Sequence, residues 1–417
     1  MLSTEREIGR GSGVPGLSRS GQAHAVTASF LGWTLDAFDY FVVVFMLDTL
    51  ATAFHVGKGK IVLTLTMTLV MRPVGAVIFG MLADRYGRRT PLMANVIFFS
   101  VIELACGFAP NYAVFFILRT LYGIGMGGEW GVGASLAMES VPPRWRGIFS
   151  GILQSGYVVG NLLAAVVARF VLPVWGWRPM FWLGGVPALL ALYIRARVPE
   201  SEAWKQHRAP NVAEILKTVA SQWKTFLYLI LLTTFMIFLS HGTQDLYPDF
   251  LSTIHHVTKS VAAEISMIYN VGAVLGAITF GMLSEKMGRR WAMISAMILA
   301  LLVIPLWAFG GSLGVLIAGA FLMQAGVQGA WGIIPVHLTE MVPNEARGLV
   351  SGLAYQMGTL FGAPAPRVEF ALSNSFGYQW AIAGFEIFTI AALILILALG
   401  KERKGRSFQR SPDGPAS

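Results

Sequence analysis

The chain has little of what a water-soluble protein needs. Only 13% of its 417 residues are charged, about half the share usual in soluble domains. With 55% hydrophobic residues, a soluble form would require a core larger than a chain of this length can build. Cysteine is almost missing. Cys106 stands alone inside an apolar run, so it has no partner for an internal disulfide and leaves no cysteine–histidine metal spacing. HExxH is absent too, so neither an enzyme, a resident metal nor a cofactor is expected. Residues 1–26 are polar and rich in glycine and serine. They lack the short apolar core and cleavage site of a secretory signal.

Long apolar runs are what the chain does have, with 12% aromatic residues and a mean hydropathy of +0.62. The runs are continuous, whereas barrel strands alternate over about ten residues. Helices crossing a bilayer, each needing about 20 apolar residues, are therefore expected. Twelve candidate spans emerge: 27–50, 61–83, 91–108, 112–137, 147–170, 179–196, 225–250, 262–284, 291–309, 313–337, 348–370 and 378–399. A polar, helix-prone stretch at 197–224 separates them into two sets of six. The expected organisation is an N-terminal cytoplasmic segment 1–26, a first bundle 27–196, a cytoplasmic linker 197–224, a second bundle 225–399 and a cytoplasmic tail 400–417.

Positive residues set the orientation. With both termini inside, 23 lysines and arginines fall on the inner side and six on the outer, with Arg72 and Arg119 within spans. The net charge of +9 then reads as a girdle at the headgroups of an inner membrane, not a nucleic-acid groove.

The two halves repeat. GMLADRYGRR begins at Gly80 and GMLSEKMGRR at Gly281, an offset of 201. The same offset aligns ESVPPRWRGIFSG from Glu139 with EMVPNEARGLVSG from Glu340, and GEWGV from Gly128 with GAWGI from Gly329. A duplicated six-helix unit of this kind belongs to secondary transporters, with substrate between the halves near the middle of the membrane.

GMLADRYGRRTPL and its weaker copy resemble the signature loop of the major facilitator superfamily. RTLYGIGMGGEWG, from Arg119, resembles that superfamily's proton-symporter motif. LDAFDYF and GGEWG are similar to the branch carrying sialic acid, lactate and other metabolite anions with protons. SHGTQDLYPDF, from Ser240, resembles a signature of lactate/pyruvate–proton symporters; Ile237 and Asp249 depart from its Asn and Thr positions. The resemblance implies an all-α fold of twelve helices in two pseudo-symmetric six-helix bundles, working as a monomer. It also implies proton-coupled symport of small monocarboxylates by alternating access, with a sialic acid or other organic-acid symporter as the alternative. The expected partners are a small organic anion, protons and the lipid bilayer, without nucleic acid.

Charges inside spans cost about 2.5–3.5 kcal/mol each on insertion scales, so they are candidates for the transport path. Arg72, at the middle of span two, could grip a carboxylate with two parallel hydrogen bonds, or pair with an acid of a neighbouring helix. His241 and Asp245 are i, i+4 on span seven, with Gln244 beside them. They form either a proton site or a cluster that packs helices. Asp36 and Asp39 are i, i+3 on span one, where mutual repulsion would leave one of them holding a proton. Arg119 and Glu129 lie ten residues apart on span four, too far to pair, so each should find a partner elsewhere, Asp36 or Asp39 being the natural ones. Asn161, Gln324 and Gln328 could orient a substrate oxygen, as could Trp331, Tyr355 and Gln356. Glu103, on an outer helix of this fold, is expected to be structural. The cavity is expected to be mostly aromatic and apolar.

Gly80, Asp84, Arg85, Gly87, Arg88 and Arg89 are expected to form a gate that latches in one state and releases in the other, the alternative being a purely topological role. Glu285, Arg289 and Arg290 are its second-half counterpart. Ser284 is taken to stand in the place of Asp84, which makes the gate asymmetric.

Overall fold

The computed structural model describes residues 18–207 and 211–408. The expected segment 1–26 and tail 400–417 therefore lie partly outside the described residues. Among the described residues there are helices and short connections but no strand.

The crossings of the first half are Arg19–Phe45 continued by Leu47–Ala53, Lys58–Tyr86, Arg89–Cys106, Tyr112–Ser140, Arg146–Trp175, and Arg178–Leu183 with Pro187–Arg197. Glu202–Gln206 and Val212–Ser221 lie between the halves. The second half has Trp223–Gln244 continued by Tyr247–Ile254, Lys259–Met287, Arg289–Phe309, Leu313–Trp331 with Ile334–Met341, Arg347–Gly362 with Ala365–Phe376, and Tyr378–Leu399. These are spans one to twelve.

Ten of these helices are long and apolar enough to cross a membrane on composition alone. Span four falls short because Arg119 and Glu129 sit among its glycines. Span eleven falls short because it breaks near Pro364. Apolar side chains turned outward, such as Phe170, Leu302 and Leu399, are 69–78% exposed, as expected of surfaces that meet lipid.

Several helices outrun their apolar runs. Span one starts at Arg19 rather than near residue 27, and Ser18 caps it by accepting from the Gly21 N–H at 3.1 Å. Hydropathy marks the hydrocarbon slab, whereas capping and helix propensity carry the helix into the headgroups.

The duplication reaches backbone detail. Span two (Lys58–Tyr86) and span eight (Lys259–Met287) match at the offset of 201. So do the single 3-10 turns Pro143–Trp145 and Asn344–Ala346. His55 and His256 share φ of 52°, a left-handed value uncommon outside glycine.

Close backbone approach fixes the bundles. A methyl group at Gly75 would strike the carbonyl of Ile124, and one at Gly127 the carbonyl of Arg72. Spans two and four therefore touch along their main chains. In the second half Gly276 lies in the same way on the carbonyl of Ala325. This contact sets the depth and rotation of Arg72. The residue after Arg72, Pro73, cannot donate to the carbonyl of Leu69.

Candidate functional site

A cavity of about 500 Å³ lies between the two halves. Spans one, two and five form one wall, and spans seven, eight, ten and eleven the other. Its position follows from the repeat, which brings the inward faces of both bundles together at mid-membrane.

Arg72 lines the first wall. It is 4% exposed, and its Nε and one terminal nitrogen meet no hydrogen-bond partner among the described residues. An unpaired buried guanidinium is costly, and here it faces a space able to hold an anion. Gln154, Tyr157 and Asn161 stand beside it on span five.

On the second wall His241 Nδ1 and Asp245 Oδ2 are 2.8 Å apart, with side chains 36% and 41% exposed. Gln244 donates to Gln324 Oε1 at 2.8 Å. Gln324 in turn donates to Thr243 Oγ1 at 3.1 Å. Gln324 is thus buried behind the wall and braces Gln244, while Gln328 and Trp331 line the cavity itself. The floor is aromatic: Tyr355 stacks on Trp130, centroids 4.0 Å apart and planes at 15°.

The acids of the first half lie behind the wall. Asp36 accepts from Tyr122 Oη at 3.3 Å. Neither carboxyl oxygen of Asp39 or of Glu129 has a hydrogen-bond partner among the described residues. Asp36, Asp39 and Glu129 are absent from the cavity lining. The expectation that Arg119 would pair with Asp36 or Asp39 is corrected: Arg119 donates to Glu103 Oε2 at 2.5 Å, with both side chains fully buried. Span three turns its one acid inward at the level of Arg119, so the structural role expected of Glu103 and the partner of Arg119 are the same contact. Glu129 does not find the expected aspartate partner and packs its carboxyl against Gly32.

The face carrying the linker is closed by two matching charge networks. Arg88 pairs with Asp84 and donates from Nε and a terminal nitrogen to Glu139 at 3.2 and 2.9 Å. Arg347 donates to Glu139 across the halves at 2.7 Å. In the other copy Arg289 reaches Glu285 at 2.9 Å and Glu340 at 3.0 Å, and Arg146 lies 3.5 Å from Glu340. Asp84 accepts the Gly348 and Leu349 N–H groups, each at 2.9 Å, at the start of span eleven. Glu285 accepts the Gly147 N–H at the start of span five.

The expected asymmetry is therefore corrected. At the offset of 201 the partner of Asp84 is Glu285, and Ser284 replaces Ala83. Ser284 adds a hydrogen bond from Arg289 at 2.7 Å rather than removing an acid. Gly80 lies on Leu349 and Gly281 on Gly147, where no side chain would fit. Gly87 holds φ of 106° at the turn. Arg85 lies over the Tyr86 ring. Arg89 donates to the Arg195 carbonyl, and Arg290 to Leu397 and Ala398 carbonyls at 2.5 Å.

Linker and tail dress the two networks alike. Glu200 accepts the N–H groups of Arg88 and Arg89 at 2.8 and 3.2 Å, and Glu402 that of Arg290 at 3.0 Å. Burial pushes the Glu200 carboxyl above its ordinary range, against the pull of those N–H donors. Phe408 of the tail lies under both cross-half arginines, 3.5 Å from Arg146 and 3.7 Å from Arg347.

Sequence reasoning missed Gln154, Tyr40, Tyr269 and Asn270 of the lining. Gln154 was findable, since Gln154, Tyr157 and Asn161 follow i, i+3, i+7 on one face. It also missed Glu369 and Glu386, buried on spans eleven and twelve with no hydrogen-bond partner among the described residues. The walls are mostly aromatic and apolar, as expected, with the amides of Gln154 and Asn270 joining Gln244 and Gln328.

The sequence profile of the Major Facilitator Superfamily matches residues 29–244 and 230–416. The chain is 27% identical over 396 residues to the sialic acid transporter NanX of Escherichia coli (strain K12), covering 94% of this chain and 96% of that one. It is 28% identical over 398 residues to a carboxylic acid transporter protein homolog of Saccharomyces cerevisiae, covering 89% of this chain and 64% of that relative's length. The solved structure of the proton:xylose symporter XylE superposes with a TM-score of 0.77 at 20% identity, over 93% of this chain and 98% of that one, a likeness of fold. With twelve helices in two repeated bundles and a profile spanning both, the chain belongs to the Major Facilitator Superfamily: it is a multi-pass membrane transporter of small organic substrates, not an enzyme.

Proposed function

We propose that the chain carries a small monocarboxylate, lactate or pyruvate first among candidates, together with a proton. The movement is across a cytoplasmic membrane, with both termini inside, by a monomer rocking its bundles 27–196 and 225–399 about the linker. The observation that carries this reading is Arg72, a buried guanidinium without an acceptor on a cavity wall, facing a second wall that bears the His241–Asp245 pair.

In the proposed cycle the carboxylate docks on Arg72, with Asn161, Gln244, Gln328 and His241 as hydrogen-bonding neighbours and Gln324 holding Gln244 in place. The proton loads on the set Asp36, Asp39, Glu129, His241 and Asp245. Arg119 tunes that set from behind through its charge. A bound proton offsets the charge of the anion and lowers the cost of moving it through a medium of low dielectric. The networks of Asp84, Arg85, Arg88 and Arg89, and of Glu285, Arg289 and Arg290, latch the linker face until both ligands are bound. Gly80 and Gly87 provide the close fit. The charge count assigns that face to the cytoplasm.

The second reading is a sugar acid such as sialic acid. It is favoured by the similarity to NanX and by the amides of the cavity walls. One experiment separates the two. Proteoliposomes, acid outside and neutral inside, are given labelled L-lactate, with pyruvate, acetate and sialic acid as competitors and protein-free vesicles subtracted. Saturable accumulation that a protonophore abolishes and pyruvate displaces supports the monocarboxylate reading. Uptake of sialic acid with no lactate signal moves the substrate to the second. Accumulation indifferent to the protonophore overturns proton coupling.

A further inference from the structure

Span twelve buries a carboxyl although none of its residues lines the cavity. Glu386 lies against Gly242, and a methyl group on Gly242 would meet its Oε1. Gly242 directly follows His241 of the cavity wall. Glu369 on span eleven stands one turn beyond Pro366, which lines the cavity. Both acids are 0% exposed, and none of their four carboxyl oxygens has a hydrogen-bond partner among the described residues. Thr389, one turn beyond Glu386, buries a hydroxyl that is also without a partner among them.

The space is built for this side chain. At the offset of 201, Gly242 corresponds to Phe41 and Glu386 to Gly185. In the first half Phe41 turns to the cavity against Tyr157, and Gly185 packs on Leu104 of span three. The second half clears span seven and fills the gap with a carboxyl from span twelve. A helix gains nothing in packing from an acid at such a position when an apolar residue would fit.

We propose that Glu369 and Glu386 form a proton-binding pair behind the second cavity wall, exchanging with the cavity through Asp245. The charged neighbours agree with this. Spans seven, eleven and twelve pack on one another, which brings both acids behind the wall that carries Asp245. His241 is bound to Asp245. Asp249 and Tyr378 bond each other at 2.9 Å, and Arg367 lies on the exposed side of span eleven. Span nine, also packed on span twelve, places its arginines at the linker face. Among the described residues no cation neutralises the pair, so a proton does. When Asp245 is engaged by substrate or by His241, the pair retains the proton. When the wall reopens to the other face, the pair returns it.

The proposal extends the proton coupling of the previous subsection and is tested apart from it. Infrared difference spectra of the full-length purified protein during a pH jump, without substrate, report the protonated-carboxyl band directly. Glu386→Gln and Glu369→Gln should each remove part of that band. In proteoliposomes Glu386→Gln should cut pH-driven lactate accumulation by about tenfold or more, while lactate exchange at equal pH stays within about twofold of the unaltered protein. Glu386→Asp should restore accumulation with a displaced pH midpoint. An unchanged band in both glutamine variants overturns the proposal, whatever the substrate proves to be. Equal loss of accumulation and exchange in folded protein also overturns it, since that marks a packing role. If Glu386→Gln does not fold, Glu369→Gln carries the same test. A protonophore-insensitive unaltered protein refutes the coupling, whereas the band judges the pair.

Discussion

In the first half Arg119 and Glu103 pair inside the bundle, while the corresponding residues of the second half are Ala320 and Ile304. Arg72 corresponds to Ala273, Glu129 to Ala330, Asp36 to Ile237 and Asp39 to Ser240. The second half answers with its own set: His241 where the first has Tyr40, Asp245 where it has Val44, Glu369 for Ala168 and Glu386 for Gly185. The gate does the opposite. Asp84, Arg88, Glu139 and Arg146 each have an ionisable counterpart at Glu285, Arg289, Glu340 and Arg347, in the same bonds. The two halves thus share the machinery that closes one face and differ in the chemistry of the cavity. A matched latch suits a face that both halves close, whereas the proposed site needs its cation in one half only.

The largest effect should come from breaking the pair that only the first half owns. Arg119→Gln leaves Glu103 buried without its cation, and loss of one partner of a buried pair costs about 3–5 kcal/mol. The double change Arg119→Ala with Glu103→Ile installs the residues of the second half and should recover most of that loss. Thermal unfolding in detergent checks both. A double variant no more stable than Arg119→Gln would mean that the pair does more than satisfy itself.

Arg72→Ala should come next. Removing a charge-assisted clamp costs about 2–4 kcal/mol of binding, or about 30- to 1000-fold in uptake efficiency, with the fold intact. Arg72→Lys should retain part of the activity, because a point charge replaces the fork. Normal lactate uptake by Arg72→Ala would remove it from the binding site.

Scaffold symmetry predicts matched losses. Gly75→Ala and Gly276→Ala each drive a methyl group into the carbonyl of a facing helix, at Ile124 and Ala325. Each should cost about 1–3 kcal/mol, and the two should agree closely. A large difference between their melting temperatures would show that one bundle yields where the other does not.

Much of this was legible in the chain. The offset of 201 carried the fold, and it extends to features no pattern scan weighs, such as the shared left-handed turns at His55 and His256. Arg72, His241 and Asp245 were visible because charge in an apolar run is conspicuous. The partner of Arg119 was not. Glu103 and Asp39 both lie on nearby helices, and which of them reaches the guanidinium depends on helix rotation set by glycine contacts rather than by hydropathy. Glu369 and Glu386 escaped for a related reason. Span twelve does not line the cavity, and the missing side chain at Gly242 makes room for its acid behind the cavity wall. The register of the second gate was legible and misread, since strict use of the offset already puts Glu285 opposite Asp84.

The smallest effect should come from the tail, where the comparison is sharpest because one residue serves both halves. Phe408 is buried and covers Arg146 and Arg347, which are themselves related by the offset of 201. The tail also bonds the second network: Gly405 N–H donates to Glu340 at 3.2 Å, and the Arg406 carbonyl accepts from Arg146 at 2.7 Å. A cation over an aromatic ring contributes about 0.5–2 kcal/mol, depending on desolvation. Phe408→Ala should therefore loosen the closed linker face by a few-fold without unfolding either bundle. A cysteine placed at Ser284 in a Cys106→Ser background would read this as faster labelling from the linker side. Phe408→Leu keeps the apolar plug and removes the ring face. If it labels as fast as Phe408→Ala, the two guanidiniums are held by the ring. If it labels as slowly as the unaltered protein, exclusion of water by the plug is what keeps the paired networks shut.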